Sequence, residues 1–129
     1  MNTEKKVLIV TDAGESLDST AQSIKNCLKD SSVKICPAQN FAGTDLLPAQ
    51  IFFLGCNSPK PSSFSYLEEM LSHINLVSRK CGIFSSDKKS LEYLGSILKD
   101  CEAKVGEPLL INGGTDINKI ENWIKGIIG

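Results

Sequence analysis

The sequence predicts an α/β fold, a doubly wound sheet of five parallel strands with helices on both faces. Three observations predict it. Continuously apolar runs alternate with stretches of helical periodicity along the whole chain, the pattern of strand–helix–strand units with right-handed crossovers. The strongest runs are apolar at successive positions instead of every second one, as strands buried on both faces require. A length of 129 residues without repeats, linkers or low-complexity tracts suits one domain spanning 1–129.

Each element follows in order. Lys5 to Thr11 (KKVLIVT) reads as the first strand. Leu17, Ala21, Ile24 and Leu28 then recur at helical spacing, with Lys25 and Lys29 toward solvent. Ser32 to Cys36 makes a short second strand, stopped by Pro37. Residues 38–48 have room for one helical turn around Thr44 to Leu47. Ala49 to Cys56 (AQIFFLGC) is the most apolar strand and takes a central place. Phe64, Leu67, Leu71 and Ile74 mark the next helix. Arg79 to Ser85 is the fourth strand, and Leu91, Leu94 and Leu98 mark the helix after it. Ala103 to Ile111 is the fifth strand, interrupted at Pro108, which suits an edge. Gly113-Gly114 turns the chain, Thr115 or Asp116 caps, and Ile117, Ile120, Ile124 and Ile127 line a last helix.

Composition removes several functional classes. At 41% hydrophobic and 22% charged the chain can bury a full core, and its net charge of −1 gives no electrostatic reason to expect nucleic acid or an anionic membrane. No apolar run reaches the length of a membrane span, and the start, MNTEKKVLIVTD, is too briefly apolar for a signal peptide. The five cysteines (Cys27, Cys36, Cys56, Cys81 and Cys101) are scattered, with no C-x-x-C pair and a single histidine, His73, in a helical pattern. That argues against a disulfide framework and against zinc, and makes cytoplasm the natural setting. The thiols read as small core residues, with Cys56 the one to watch because it opens a candidate loop. Trp123 reads as packing and Lys88-Lys89 as solvated surface.

Ligands in such sheets bind beyond the carboxyl ends of the strands. The loops at issue are therefore Thr11–Ser16, Cys56–Ser63 and Ser85–Ser90. In the first, TDAGES, hydroxyls on Thr11 and Ser16 flank Gly14 at a helix start, where unpaired N–H groups and the helix dipole suit a phosphate monoester. Asp12, Glu15 and Asp18 add negative charge at the same place. Ordinary helix capping accounts for the same residue types, so both readings stand at this point.

The segment resembles the phosphate loop of flavodoxins, a strand followed by Ser/Thr-x-Thr-Gly-x-Thr and a helix. Thr11, Gly14 and Ser16 stand at the first hydroxyl, the glycine and the last hydroxyl, and Ala13 replaces a residue that often carries a hydroxyl. IFFLGCNSPKPSS with FSYLEEML is similar to the family's third strand, flavin loop and helix. KCGIFSS and KVGEPLLINGGTDINKIENWIKGI resemble its fourth strand and its ending, so the likeness spans nearly the whole chain.

The resemblance implies a three-layer sandwich with strand order 2-1-3-4-5, non-covalent FMN, electron transport, and redox partner proteins that the sequence does not identify. It implies phosphate binding by Thr11, Asp12, Ala13, Gly14, Glu15 and Ser16. Cys56, Asn57, Ser58 and Pro59, with Ser85, Ser86, Asp87 and Lys88, would line the flavin ring. The chain departs from the family where Pro59, Lys60 and the SSDKKS loop stand in place of aromatic residues. A flavin-free binding module on the same fold is therefore the alternative expectation.

Rival readings lack their residues. A response-regulator receiver needs an acidic pair after the first strand, an aspartate ending the third and a lysine ending the fifth; this chain has Asp12 alone, Cys56 and Asn112. The cysteine of a sugar-transport phosphocarrier, the Cys-x5-Arg loop of a small tyrosine phosphatase, the G-x-S-x-G elbow and the G-x-x-x-x-G-K-[ST] loop are all missing.

Overall fold

The computed structural model describes residues 5–12, 15–29, 31–111 and 117–128, with the side chains of Glu15 and Ser16 outside that set. Four parallel strands form the body of the sheet: β1 (Lys6–Thr11), β2 (Ser32–Pro37), β3 (Ile51–Gly55) and β4 (Lys80–Ser85). The order is β2-β1-β3-β4, and β5 (Lys104–Val105) takes the next place beside β4. This is the expected 2-1-3-4-5 arrangement.

The fifth strand is interrupted at Pro108 as expected, and its two parts are shorter than the sequence suggests. Instead of one strand over Ala103–Ile111 there are two short pieces, β5 and β6 (Leu109–Leu110), both paired in parallel with β4. Pro108, without an N–H, cannot donate to the ladder. Gly106 is drawn close to the last helix, where an added Cβ would lie 2.7 Å from Ile127 Cγ1. Backbone bonds from Gly106 N–H to the Cys81 carbonyl (3.0 Å) and from Ile111 N–H to the Ser85 carbonyl (2.7 Å) hold the two pieces on one line.

Among the described residues five α-helices flank the sheet: α1 (Glu15–Cys27), α2 (Gly43–Leu46), α3 (Ser65–Leu71), α4 (Lys88–Ile97) and α5 (Ile117–Ile128). Side chains of a strand alternate between faces, and the two faces pack separately. Leu8, Val10, Phe52, Leu54, Cys81 and Ile83 meet Leu67 and Leu71 of α3 and Leu94 of α4. Val7, Ile9, Ile51, Phe53 and Phe84 meet Leu17, Ala21 and Ile24 of α1 and Ile120, Ile124 and Ile127 of α5. The result is the expected three-layer sandwich.

Burial on this scale, about 1.5–3 kcal/mol per large side chain as an upper bound, is what makes α5 a helix. Alone, a helix of this length is marginal in water. The exception is Ile117, expected in the core, which is 44% exposed at the first residue of α5.

Two helix ends also differ from the periodicity. α3 closes at Leu71, so Ile74 packs on the core from beyond the helix, and His73 is exposed in the turn after α3 instead of on a helix. The single turn expected around Thr44–Leu47 is α2, where Asp45 accepts from Lys34 Nζ (2.5 Å) and from the Ala42 N–H (3.2 Å). The Gly113-Gly114 turn and the Thr115 or Asp116 cap lie outside the described residues, as does Asn112. No described helix is long and apolar enough to cross a membrane.

Candidate functional site

The carboxyl ends of β1, β3 and β4 stand in one row. Thr11 is level with Gly55 and Gly55 with Phe84. The row is tight: a Cβ on Gly55 would lie 2.5 Å from Phe84 Cε2, so only glycine lets the Phe84 ring cross there.

Thr11 is 3% exposed. It shares its strand face with Val7 and Ile9, the face α1 covers. Its hydroxyl makes no hydrogen bond to any described group. A buried hydroxyl without a partner costs about 1–3 kcal/mol, so it marks a position where an acceptor is expected. Beside it α1 begins at Glu15, where the first N–H groups of a helix have no intrahelical acceptor. Ala13 and Gly14 lie outside the described residues, and Glu15 and Ser16 are placed by their helical backbone alone. Asp12 is anchored to the neighbouring strand and loop: its N–H donates to the Gly55 carbonyl (3.0 Å), and Ser63 Oγ donates to its Oδ1 (2.9 Å). Asp18 is exposed on α1.

The second and third loops are joined to each other. Asn57 Oδ1 accepts from Ser86 Oγ (2.8 Å), from the Ser86 N–H (3.1 Å) and, at longer range, from Ser85 Oγ (3.5 Å). Ser85 Oγ in turn accepts from the Asp87 N–H at 3.0 Å. Asp87 caps α4, its Oδ2 accepting from the Ser90 N–H (3.2 Å) and Ser90 Oγ (3.0 Å). The expected ring-side residues Asn57, Ser85, Ser86 and Asp87 are thus brought together, while Ser58, Pro59 and Lys88 are exposed.

The Cys56 side chain lies on the opposite face of the sheet from Thr11. It is fully buried with the α3/α4 face of the sheet, and burial pushes its thiol up to about 11. Its parity with Phe52 and Leu54 carries the signal for this in the sequence. Ser63 and Ser90 join the site as well: the Asp87-x-x-Ser90 spacing carries a capping pattern in the sequence, whereas the Ser63–Asp12 bond joins residues 51 apart.

The aromatic residues are packed elsewhere. Phe52, Phe53, Phe64 and Phe84 are fully buried. Trp123 packs on Phe53 (5.4 Å) and edge-on to Phe84 (6.1 Å), and its Nε1 donates to the Glu107 carbonyl. Tyr66 packs on Phe41 (5.8 Å); Tyr93 packs on Phe64 (6.4 Å) and donates to Glu68. Lys60, in the left-handed region at φ 54°, lines a groove beside α3 with Ser65, Glu68, Glu69 and Ser72. Among the described residues no group of three His, Cys, Asp or Glu converges to hold a metal.

Solved structures match this fold over nearly the whole chain. A short-chain flavodoxin associated with a bacterial microcompartment superposes with a TM-score of 0.80 at 14% identity, over 96% of this chain and 97% of that one. The Streptococcus pneumoniae TIGR4 flavodoxin gives 0.80 at 14%, over 94% and 95%. The fold is that of the flavodoxins. A variant of the Fusobacterium nucleatum flavodoxin bound to flavin mononucleotide gives 0.71 at 14%, over 95% of both chains. No family model and no curated protein sequence matches this chain. On this fold, the loops beyond the row Thr11–Gly55–Phe84 carry the hydroxyls of Thr11, Ser63, Ser85 and Ser86 and the carboxylates of Asp12 and Asp87.

Proposed function

We propose that this protein is a flavodoxin-like electron carrier that binds FMN non-covalently at the carboxyl ends of its strands. The observation that carries the reading is the buried Thr11 hydroxyl beside the start of α1, which has no partner among the described residues. It suits one oxygen of a phosphate monoester, the other oxygens taking the free N–H groups of the first helical turn. Thr11, Ala13, Gly14, Glu15 and Ser16 hold the phosphate by hydroxyl and backbone. Asp12 serves by shaping the loop, its N–H donating to the Gly55 carbonyl and its carboxylate accepting from Ser63.

The backbone of Cys56, with Asn57, Ser58, Pro59, Ser85, Ser86, Asp87 and Lys88, flanks the ring. FMN supplies the transfer of one or two electrons, and the protein supplies position and a polar edge. Redox partner proteins, a cytoplasmic setting in keeping with five free thiols and a single domain over 1–129 belong to the same proposal. One observation favours the flavin-free module instead: every aromatic side chain has a packing role.

Thr11→Val is the test. It keeps the shape and removes the hydroxyl. Hydrogen bonds to charged groups contribute about 1.5–3 kcal/mol, so affinity for FMN and for inorganic phosphate falls roughly 10- to 100-fold. Stability stays level or rises, because an unpartnered buried hydroxyl is lost. Fluorescence quenching of FMN and a urea titration measure the two effects. Unchanged affinity in a folded variant places the phosphate elsewhere, and a wild-type protein that binds no FMN at millimolar concentration gives the flavin-free reading.

A further inference from the structure

Three donors converge on the Asn57 carbonyl oxygen: Ser86 Oγ at 2.8 Å, the Ser86 N–H at 3.1 Å and Ser85 Oγ at 3.5 Å. A backbone N–H can only donate, so the atom facing it is the amide oxygen and not its nitrogen. Asn57 leaves β3 and Ser86 follows β4, which makes these bonds a clasp across the two ring-side loops. Ser86 is exposed and Asn57 half-buried, while Ser85 is fully buried behind them, so the two Ser86 donors lie at the water boundary, where they can pass to another acceptor without being stranded.

We infer that Asn57 is an internal stand-in for a ligand: its amide oxygen occupies a carbonyl-binding subsite, made by Ser85 and Ser86, that a ring carbonyl takes only by displacing it. The inference rests on the flavin reading, since an isoalloxazine carries an imide with two such oxygens. It adds a sign that reading does not contain. If Asn57 holds the subsite, each ligand carbonyl entering it replaces one amide oxygen by another, and the bond gained is offset by the bond given up. Affinity is then reduced by the occupancy of the closed state. A residue that merely braced the loops would have the opposite effect, because its removal would cost order at the site.

The experiment is Asn57→Ala, with FMN and inorganic phosphate titrated in parallel on variant and wild type. The expected result is FMN bound about 5- to 10-fold tighter, in line with one net hydrogen bond, and phosphate within about twofold of wild type, since it does not reach the clasp. FMN affinity that is equal or weaker in the folded variant overturns the inference and leaves the flavin reading intact. Should the variant not fold, the wild-type protein decides by NMR. The Asn57 side-chain NH2 signals and the Ser86 amide move together on FMN saturation and stay with phosphate alone; signals unmoved at FMN saturation overturn the inference. Absence of FMN binding in both proteins overturns the flavin reading and this inference with it.

Discussion

The two ends of the candidate site differ in how far they satisfy themselves. At the end of β1 a buried threonine hydroxyl has no described partner and stands beside a helix start. At the ends of β3 and β4, Asn57, Ser85, Ser86, Asp87 and Ser90 pass hydrogen bonds among themselves. Buried polar groups are normally paired, so the first end is prepared for an outside acceptor and the second is complete without one. In the FMN complex proposed above, the phosphate would supply most of the binding energy and the ring side the selectivity. Stacked aromatic partners would each contribute about 0.5–1.5 kcal/mol beyond area, and this chain has committed its rings to packing.

Both ends depend on Gly55, which joins them in register. Gly55→Ala breaks the comparison most strongly. The new methyl would overlap the Phe84 ring, which is itself seated on Trp123, and overpacking of this kind costs roughly 1–3 kcal/mol. Displacement of Phe84 disturbs the end of β4, while the Asp12 N–H bond to the Gly55 carbonyl ties the same shift to β1. Urea unfolding should show the midpoint falling without a change in slope. A midpoint equal to wild type would mean that the row has slack and that the two ends are independent.

Much of this architecture was legible because of where each strand lies. β1, β3 and β4 are covered on both faces, so their burial is continuous and so is their apolar sequence. The interruption of the last strand at Pro108 was legible, whereas the close approach of Gly106 to Ile127 was not, because Ile127 is remote in sequence. Ile117 fits the helical period but stands at the solvent end of α5; period alone does not tell how far a helix extends past its sheet.

In the site, the Thr11 hydroxyl was visible and its lack of a partner was not, since that depends on everything packed around it. The clasp joins residues 29 apart, a distance over which local pattern is silent. The burial of Cys56 was legible through its alternation with Leu54 and Phe52.

Asp87→Ala sharpens the comparison from the self-satisfied end. It removes the cap of α4, worth about 1 kcal/mol and up to 2, and the loss falls toward the upper part because Ser90 is fully buried. Asp87→Asn keeps an acceptor and should lose a few tenths of a kcal/mol at most, since Asn caps nearly as well. Thermal unfolding measures both, and inorganic phosphate affinity should stay within about twofold, the β1 end having no bond to Asp87. A phosphate affinity that drops with the cap would show that the two ends are coupled.

The smallest effect is invisible at neutral pH and tests whether the ring side is closed. Cys56 heads that loop, and burial raises its thiol from 9.0 to about 11. The unfolded chain ionises this thiol near 9, the folded chain only near 11. The stability that comes from keeping it neutral is therefore whole below pH 9 and is lost as pH rises through 11. Cys81 and Cys101, raised first of all by burial, act in the same direction. Cys56→Ala should flatten the fall in stability between pH 9 and 11 relative to wild type, measured by urea midpoints at each pH. Alkylation at pH 8 gives the kinetic counterpart, because the thiolate is the reacting form. Half-buried Cys27 should be modified first and Cys56 only at the rate of opening or unfolding. Cys56 reacting as fast as Cys27 in the folded protein would mean that the loop opens readily over its thiol, and the contrast between an open phosphate end and a closed ring end would fail.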